Sequence, residues 1–395
     1  MATLRNSSLL TVASATLLIA SHASAGELFL LGLVPYSYAN GASADGSIVV
    51  GADMVSCWYW TRDTWVVRIE GSLAFGNGVG GQAAITTDGS TILCPSLVPN
   101  QDGLAKAEAT TWDVATNTFD ASVGSLGYHC DISRSSGWSM NGDASYVCGL
   151  VWDVGCAGKG FVYERATDSF TLLPTLYFFK PTRGNDVSDD GSVVCGWNDD
   201  YVGYRQGCVW KRNAKGQYVA TLLNTGVATQ KLREANCVSG NGQWVYGQGS
   251  SLTGGAPYRW SYATGYQPIT GGASGDGYVN WANYDGSVLV VNFGSGCFVW
   301  ISGRGYVPIR DYAAEKGVTY GEEWSLNGMS MTEDGLTITG YALRSTDGGW
   351  SPFVLDLRQP PQPCTADLNG DSVVDAADLA DLLTQWGGGP KSSAA

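Results

Sequence analysis

Charge is the first scarcity. Charged residues make up 15% of this 395-residue chain, where soluble domains average about 25%. Lys and Arg number 22 against 36 Asp and Glu, a net charge of −14. An acidic surface repels phosphate backbones, so nucleic acid is excluded as a default partner. Glu is rarer still at nine, and of two histidines only His129 lies beyond residue 25. With one such histidine and no CxxC pair, a zinc site has no ligand set. No GxSxG occurs, and Gly127-Tyr128-His129-Cys130-Asp131 holds no nucleophile elbow, so Ser-His-Asp and Cys-His catalysis are unsupported. Phosphate-binding glycine motifs in a strand-helix context, a Gly-X-Y period and an unbroken membrane-spanning apolar run are also absent. What is abundant is glycine (54) and tryptophan (15), with aromatics at 11%. Turn-rich and aromatic-rich, the chain reads as all-β with a well-buried core.

The N-terminus has the pattern of an export signal. Arg5 precedes an apolar stretch from Leu9 to Ala20, and Ala23-Ser24-Ala25 supplies small residues for cleavage, so residues 1–25 read as a signal peptide and the product as secreted or cell-surface. Thr11, Ser14 and Thr16 interrupt the stretch, which argues against a transmembrane anchor. All ten cysteines follow it, consistent with an oxidising compartment. Cys148 with Cys156, and Cys195 with Cys208, flank short connections between neighbouring strands; the sequence alone leaves the connectivity open.

Internal repeats organise the rest. Ser43-Ala44-Asp45-Gly46-Ser47-Ile48-Val49-Val50-Gly51 returns as Thr86-Thr87-Asp88-Gly89-Ser90-Thr91-Ile92-Leu93-Cys94 and as Ser188-Asp189-Asp190-Gly191-Ser192-Val193-Val194-Cys195-Gly196. Weaker copies centre on Asp143, Asn241-Gly242, Asp285-Gly286 and Asp334-Gly335. The seven anchors are 43 to 55 residues apart, the period of a four-stranded propeller blade. An aromatic strand end follows each anchor: Trp60, Trp112, Tyr163, Trp210, Trp260, Trp300, then Phe353-Val354-Leu355. A second aromatic comes after a turn in six copies: Trp65, Phe119, Phe170, Tyr218, Tyr266 and Tyr306. Each unit therefore reads as strand, Asp-Gly turn, β-branched strand, connection, aromatic strand, turn, strand. The Asp-Gly pairs fit type I′ hairpin turns. The paired aromatics are expected opposite one another, filling the space between blades. The anchor aspartates are thereby turn residues.

The ends of the repeat array are out of phase. The last copy stops after its third strand near residue 357, while residues 27–32 form a lone strand ahead of the first anchor. Closure by strand exchange follows: a seven-bladed β-propeller over 26–357 whose N-terminal strand completes the last blade. The DGSxVVG unit with its aromatic strand, introduced by Leu31-Gly32-Leu33 and Tyr36-Ser37-Tyr38-Ala39, resembles the HAF-type extracellular repeats of bacterial secreted proteins over most of 27–357.

A proline-rich linker, 358–363, leads to a motif with defined chemistry at 364–387, followed by a tail at 388–395. Read as a twelve-residue loop starting at Asp367, oxygen ligands fall at Asp367, Asn369, Asp371, Asp375 and Asp378, with the Val373 carbonyl between them. A hard cation with six to eight oxygen ligands, Ca2+, accounts for that convergence of carboxylates. Leu379, Leu382 and Leu383 then recur at helical spacing up to Trp386. The segment resembles a single type I dockerin repeat, an EF-hand-like loop and helix. That resemblance implies attachment or sorting through a cohesin-like or surface partner.

Candidate ligand contacts lie off the repeat template. Insertions at 95–109, 150–160, 177–184, 197–207 and 310–326 are expected on one propeller face, where loops carry function. Asp199 and Asp200 follow Trp197, and Glu322 and Glu323 precede Trp324. Trp138, Trp152, Trp197, Trp281, Trp324 and Trp350 sit outside the repeating tryptophan position. Rings beside carboxylates and amides suit sugars, and Trp152, Trp197, Asp199, Asp200, Trp281, Glu323 and Trp324 form the candidate set; the plainer role for any such Trp is to fill inter-blade space. Two functions are open: a non-catalytic binding or scaffold protein that engages a carbohydrate or surface protein, or a polysaccharide-degrading hydrolase or lyase. No catalytic residue stands out from the sequence. For the tail, calcium titration of a peptide of residues 360–395 is expected to raise helical ellipticity; an unchanged circular dichroism spectrum at millimolar calcium would refute the ligand set.

Overall fold

Small and β-branched residues after each anchor extend the chain, aromatics return it, and the product is the same sheet seven times over. The computed structural model describes residues 26–32, 35–75, 79–99, 103–250, 253–270, 276–358 and 376–379. Gly26–Arg358 form one unit, in which the described strands make seven four-stranded antiparallel sheets. The first strand of each blade is innermost: Tyr38–Ala42, Ala84–Ile85, Ser135–Met140, Thr182–Val187, Ala235–Val238, Tyr278–Ala282 and Trp324–Met331. Blades 1 to 6 run in chain order. The seventh is completed by Glu27–Leu30, which pairs with Trp350–Asp356 in the register Glu27↔Asp356 to Leu30↔Phe353. Gly26 precedes this strand in a tight place: a Cβ there would stand 2.5 Å from Val318 Cγ2 and 2.7 Å from the Asp356 carbonyl. Of the C-terminal candidates, Asp367, Asn369, Asp371, Val373 and Asp375 lie outside the described residues. Residues 376–379 form a helical turn on which Asp378 is buried while Ala376, Ala377 and Leu379 are exposed.

The anchor turns are alike in detail. In the first, Gly46 N–H donates to Ser43 O at 2.8 Å; Ile48 N–H donates to Ser43 Oγ at 3.0 Å and Ser47 N–H to Asp45 Oδ1 at 3.0 Å. Ser, Thr or Asn at the Ser43 position accepts the same backbone bond in all seven copies. Positive φ occurs at the glycine alone, from 65° to 75°, with Ala144 at 59° in blade 3. This corrects the type I′ expectation, since that turn needs two left-handed residues. Here the Asx bonds stabilise a four-residue loop and only the glycine is left-handed. The Thr86 hydroxyl, with Ser90, holds the Asp88 carboxyl down to about 2. Its contribution to stability is complete above the ordinary carboxylate range and is lost as pH falls toward 2.

The same turns tie the blades into a ring. Ala44 N–H donates to Thr87 O at 2.7 Å, Thr87 N–H to Gly142 O at 2.7 Å, Asp189 N–H to Gly240 O at 2.9 Å and Asn241 N–H to Tyr284 O at 2.9 Å. Asn141 Nδ2 donates to Asp189 O at 2.8 Å, and Tyr284 N–H to Glu333 Oε2 at 2.9 Å. Arg358, after the last strand, donates to Ala44 O at 3.4 Å and closes the circuit.

Between blades the core is apolar. Cys148, Val162 and Leu173 of blade 3 pack on Val187, Val194, Cys208 and Trp210 of blade 4, and Val354 joins Ala39, Val49, Trp58 and Trp60 across the closing seam. The repeated aromatics face each other as Trp112↔Phe119, Tyr163↔Phe170, Trp260↔Tyr266 and Trp300↔Tyr306. In blades 1 and 4 the partners shift to Thr61↔Trp65 and Arg212↔Tyr218, so Trp60 and Trp210 lie opposite Val66 and Ala220. The cysteines also differ from expectation. Cys130 pairs with Cys156, whereas Cys148, Cys195 and Cys208 are free and buried. They lie on strands that insert them into packed blade interiors, and behave as small hydrophobes.

Deleting residues 26–32 exposes the Trp350–Asp356 edge and removes the Phe29–Trp60 contact at 5.1 Å. The expected outcome is a melting temperature lowered by about 10 °C or more, with aggregation visible by size-exclusion chromatography. A monomer melting with the full chain would overturn closure by strand exchange.

Candidate functional site

Each inner strand ends at its anchor turn, and in six of the seven the ladder slips five residues before the anchor. Asn40, Trp138, Asn185, Asn236, Asn280 and Met329 are the residues skipped. A bulge re-aims the extra side chain, and these six, with Gln82 of blade 2, line one cavity of about 320 Å³ at the channel mouth. It opens where the connections between second and third strands and between blades gather, and Arg183, Glu234, Gln248 and Tyr278 complete its wall.

Three of the bulged amides bridge to the next blade. Asn185 Nδ2 donates to Ala235 O at 2.8 Å, Asn236 Nδ2 to Val279 O at 3.1 Å and Asn280 Nδ2 to Gly328 O at 2.7 Å. Those bonds fix the amide orientations, because a backbone carbonyl only accepts. Asn185 Oδ1 in turn accepts Arg183 Nε at 2.6 Å. The Arg183 guanidinium lies 3.6 Å from the Trp138 ring centroid and 5.4 Å from that of Trp197, a cation–π sandwich. Glu234 stands between two arginines, 3.4 Å from Arg183 Nη2 and 3.8 Å from Arg205 Nη1. Desolvation nonetheless lowers Arg183 to about 10, with Glu234 opposing the shift and Arg205 adding to it. Two polar atoms of cavity-lining residues, Trp138 Nε1 and Glu234 Oε2, are buried with no hydrogen-bond partner among the described residues.

An aromatic recess of about 270 Å³ adjoins the mouth, sharing Asn40, Gln82, Trp138 and Met329 with it and adding Tyr36, Tyr38 and Phe75. Tyr36 and Tyr38 lie 5.6 and 5.3 Å from Trp350, which stacks on Tyr341 at 4.3 Å. Deeper in the channel, a cavity of about 250 Å³ reaches the anchor turns and is lined by Trp281, Asp186, Asp189 and Glu333. Among the described residues no group of three or more His, Cys, Asp or Glu is placed to hold a metal ion.

The residues singled out from sequence are dispersed. Trp281 lines the deep cavity. Trp197 is buried beneath Arg183 and Arg205. Asp199 ends the strand Val193–Asp199 opposite Arg205, its carboxyl raised by burial despite that arginine. Asp200 is buried in the following turn, where it accepts Val202 N–H and Tyr204 N–H and pairs with Lys231. Trp152 ends its strand with its N–H on Arg134 O. Glu323 is exposed, and Trp324 packs against the blade 6–7 core with the Arg344 guanidinium 5.3 Å from its ring. The bulged asparagines went unread, although four of the seven positions five before an anchor are Asn. That recurrence is the signal that finds them.

No protein-family model matches the chain, and no curated protein sequence matches it. Among solved structures, a chain of the Mitotic Checkpoint Complex is similar at 12% identity, covering 90% of this chain and 98% of its own with a TM-score of 0.50. TolB from Acinetobacter baumannii matches at 15% identity over 57% of this chain with a TM-score of 0.40; this chain covers 51%, about half, of that TolB chain. Oligogalacturonate lyase from Vibrio parahaemolyticus matches at 12% identity, with 84% and 98% coverage and a TM-score of 0.45. At these identities the likeness concerns the fold alone.

Asp186 gives the channel a measurable pH response. It bridges three blades, accepting Ser139 Oγ at 2.6 Å and Val238 N–H at 2.9 Å, and burial pushes its carboxyl up to about 6 against those bonds. The folded protein keeps a proton that the unfolded chain releases near pH 4, so this group's contribution to stability declines as pH rises from about 4 to about 6. Relative to Asp186→Asn, the wild type is expected to lose on the order of 1–3 kcal/mol across that window in urea unfolding. Parallel stability curves for the two proteins would overturn the assignment.

Proposed function

We propose that the protein is an exported, non-catalytic binding module whose propeller takes sugar rings at the channel mouth. The observation that carries this reading is the continuity of an amide-lined cavity with an aromatic recess. Amides serve hydroxyls, and aromatic faces serve the C–H faces of a sugar. Hydrolysis by two carboxylates needs a pair about 5 to 9.5 Å apart. The mouth is lined by one, Glu234, already engaged by two arginines, which favours binding over two-carboxylate hydrolysis at the mouth.

Export through residues 1–25 and attachment through a calcium-loaded tail complete the proposal. Its support is the ligand spacing from Asp367 to Asp378 and the burial of Asp378 beside exposed neighbours, as an inward-facing ligand requires. A cohesin-like or surface partner would hold that tail.

Asn40 and Gln82 test the binding site, because their side chains make no hydrogen bond within the described propeller and can be truncated without unpairing a buried group. On a glycan array followed by calorimetry, the Asn40→Ala, Gln82→Ala double variant is expected to lose about tenfold in affinity, roughly 1.4 kcal/mol, at an unchanged melting temperature. Retention of no glycan by the wild type, or equal affinity in the variant, would overturn the reading.

A further inference from the structure

Arg183 has spare hydrogen-bonding capacity at the wall of the mouth cavity. Its side chain is 12% exposed, and it sits on the inner strand of blade 4 with its guanidinium stacked on Trp138. Nε is spent on Asn185 and Nη2 makes a long contact to Glu234. Nη1, with two N–H groups, makes no hydrogen bond among the described residues, and the residue lines the mouth cavity. Beside it, Trp138 Nε1 is a second donor without an acceptor.

The local charge is equally unfinished. Arg183 and Arg205 share one carboxylate, Glu234, at 3.4 and 3.8 Å, both longer than a tight charge-assisted bond. Asp199 lies across the ladder from Arg205 and does not line the cavity. Within a chain of net charge −14, the mouth is thus a point where a guanidinium faces a cavity with donors in excess. A planar fork of N–H groups, held rigid by two indoles, matches an oxyanion and does so better than a lysine would.

We propose that Arg183 reads an oxyanion carried by the bound sugar, the carboxylate of a uronic acid or a sulfate ester, with the channel amides holding the ring that bears it. The proposal rests on the sugar-binding reading above. Anionic and neutral sugars therefore differ in affinity through one side chain. Glu234 competes with the ligand for that side chain, so weakening it strengthens binding.

The test uses the full chain and three length-matched oligosaccharides, one uronic, one sulfated and one neutral, titrated by calorimetry at moderate salt. The wild type is expected to bind at least one anionic oligomer tenfold or more tighter than the neutral one. Arg183→Gln should bring the two within about twofold of each other, and Arg183→Lys should recover only part of the difference. Glu234→Gln, which keeps the side-chain volume, should widen the preference for the anionic over the neutral oligomer severalfold, so the proposal remains testable if Arg183→Gln fails to fold. Equal wild-type affinity for neutral and anionic oligomers overturns the role of Arg183 while leaving sugar binding intact. Failure to bind any of the three overturns sugar binding itself.

Discussion

The molecule depends on the bond that each anchor turn makes to the next. A serine, threonine or asparagine caps the turn, an Asx group pins it, and the exposed N–H and C=O groups beside the anchor reach the neighbouring blade. Because the same residues serve within a turn and between turns, the angle between blades is set locally at six junctions, and Arg358 supplies the seventh. Seven such steps bring the chain back to its start, where Glu27–Leu30 fills the one strand missing from the ring.

The channel follows from that geometry. In six blades the ladder slip five residues before the anchor turns a side chain toward the axis. Asparagine suits that post. Its amide N–H groups satisfy a carbonyl of the next blade, and its oxygen remains for the channel, as at Asn236 and Asn280. The bulge thus stitches two blades together and furnishes a polar wall. Arg183 is placed by the same device, since its Nε is held by the Asn185 oxygen.

Much of this was legible in the chain. The blade count, the order of strands within a blade and the closing exchange all followed from a period of 43 to 55 residues and the phase of its two ends. Periodic information survives in one dimension because each blade obeys the same local rules. The turn type was misread because Asp-Gly is compatible with several loops; the deciding partner, the Ser43 hydroxyl on Ile48 N–H, sits outside the dipeptide. The cysteine pairing stayed open in the sequence because proximity along a hairpin does not tell whether two side chains share a face. Cys148 points into the blade 3–4 core, and the bridge goes instead between Cys130 and Cys156 in two loops.

The candidate site divides in the same way. Tryptophans off the template were visible as exceptions, but their neighbours were not: Trp138 and Trp197 clasp Arg183 from two different blades, and Asp200 is taken up by Lys231 and its own turn. The sequence by itself determined that the chain repeats a four-stranded unit, that its anchor aspartates belong to turns and that the ring closes through its first strand. Only the tertiary structure decided which side chains meet at the axis, because that meeting depends on one-residue slips in six separate ladders. A slip changes neither the length of a repeat nor its strand order, yet moves a side chain from the sheet into the channel.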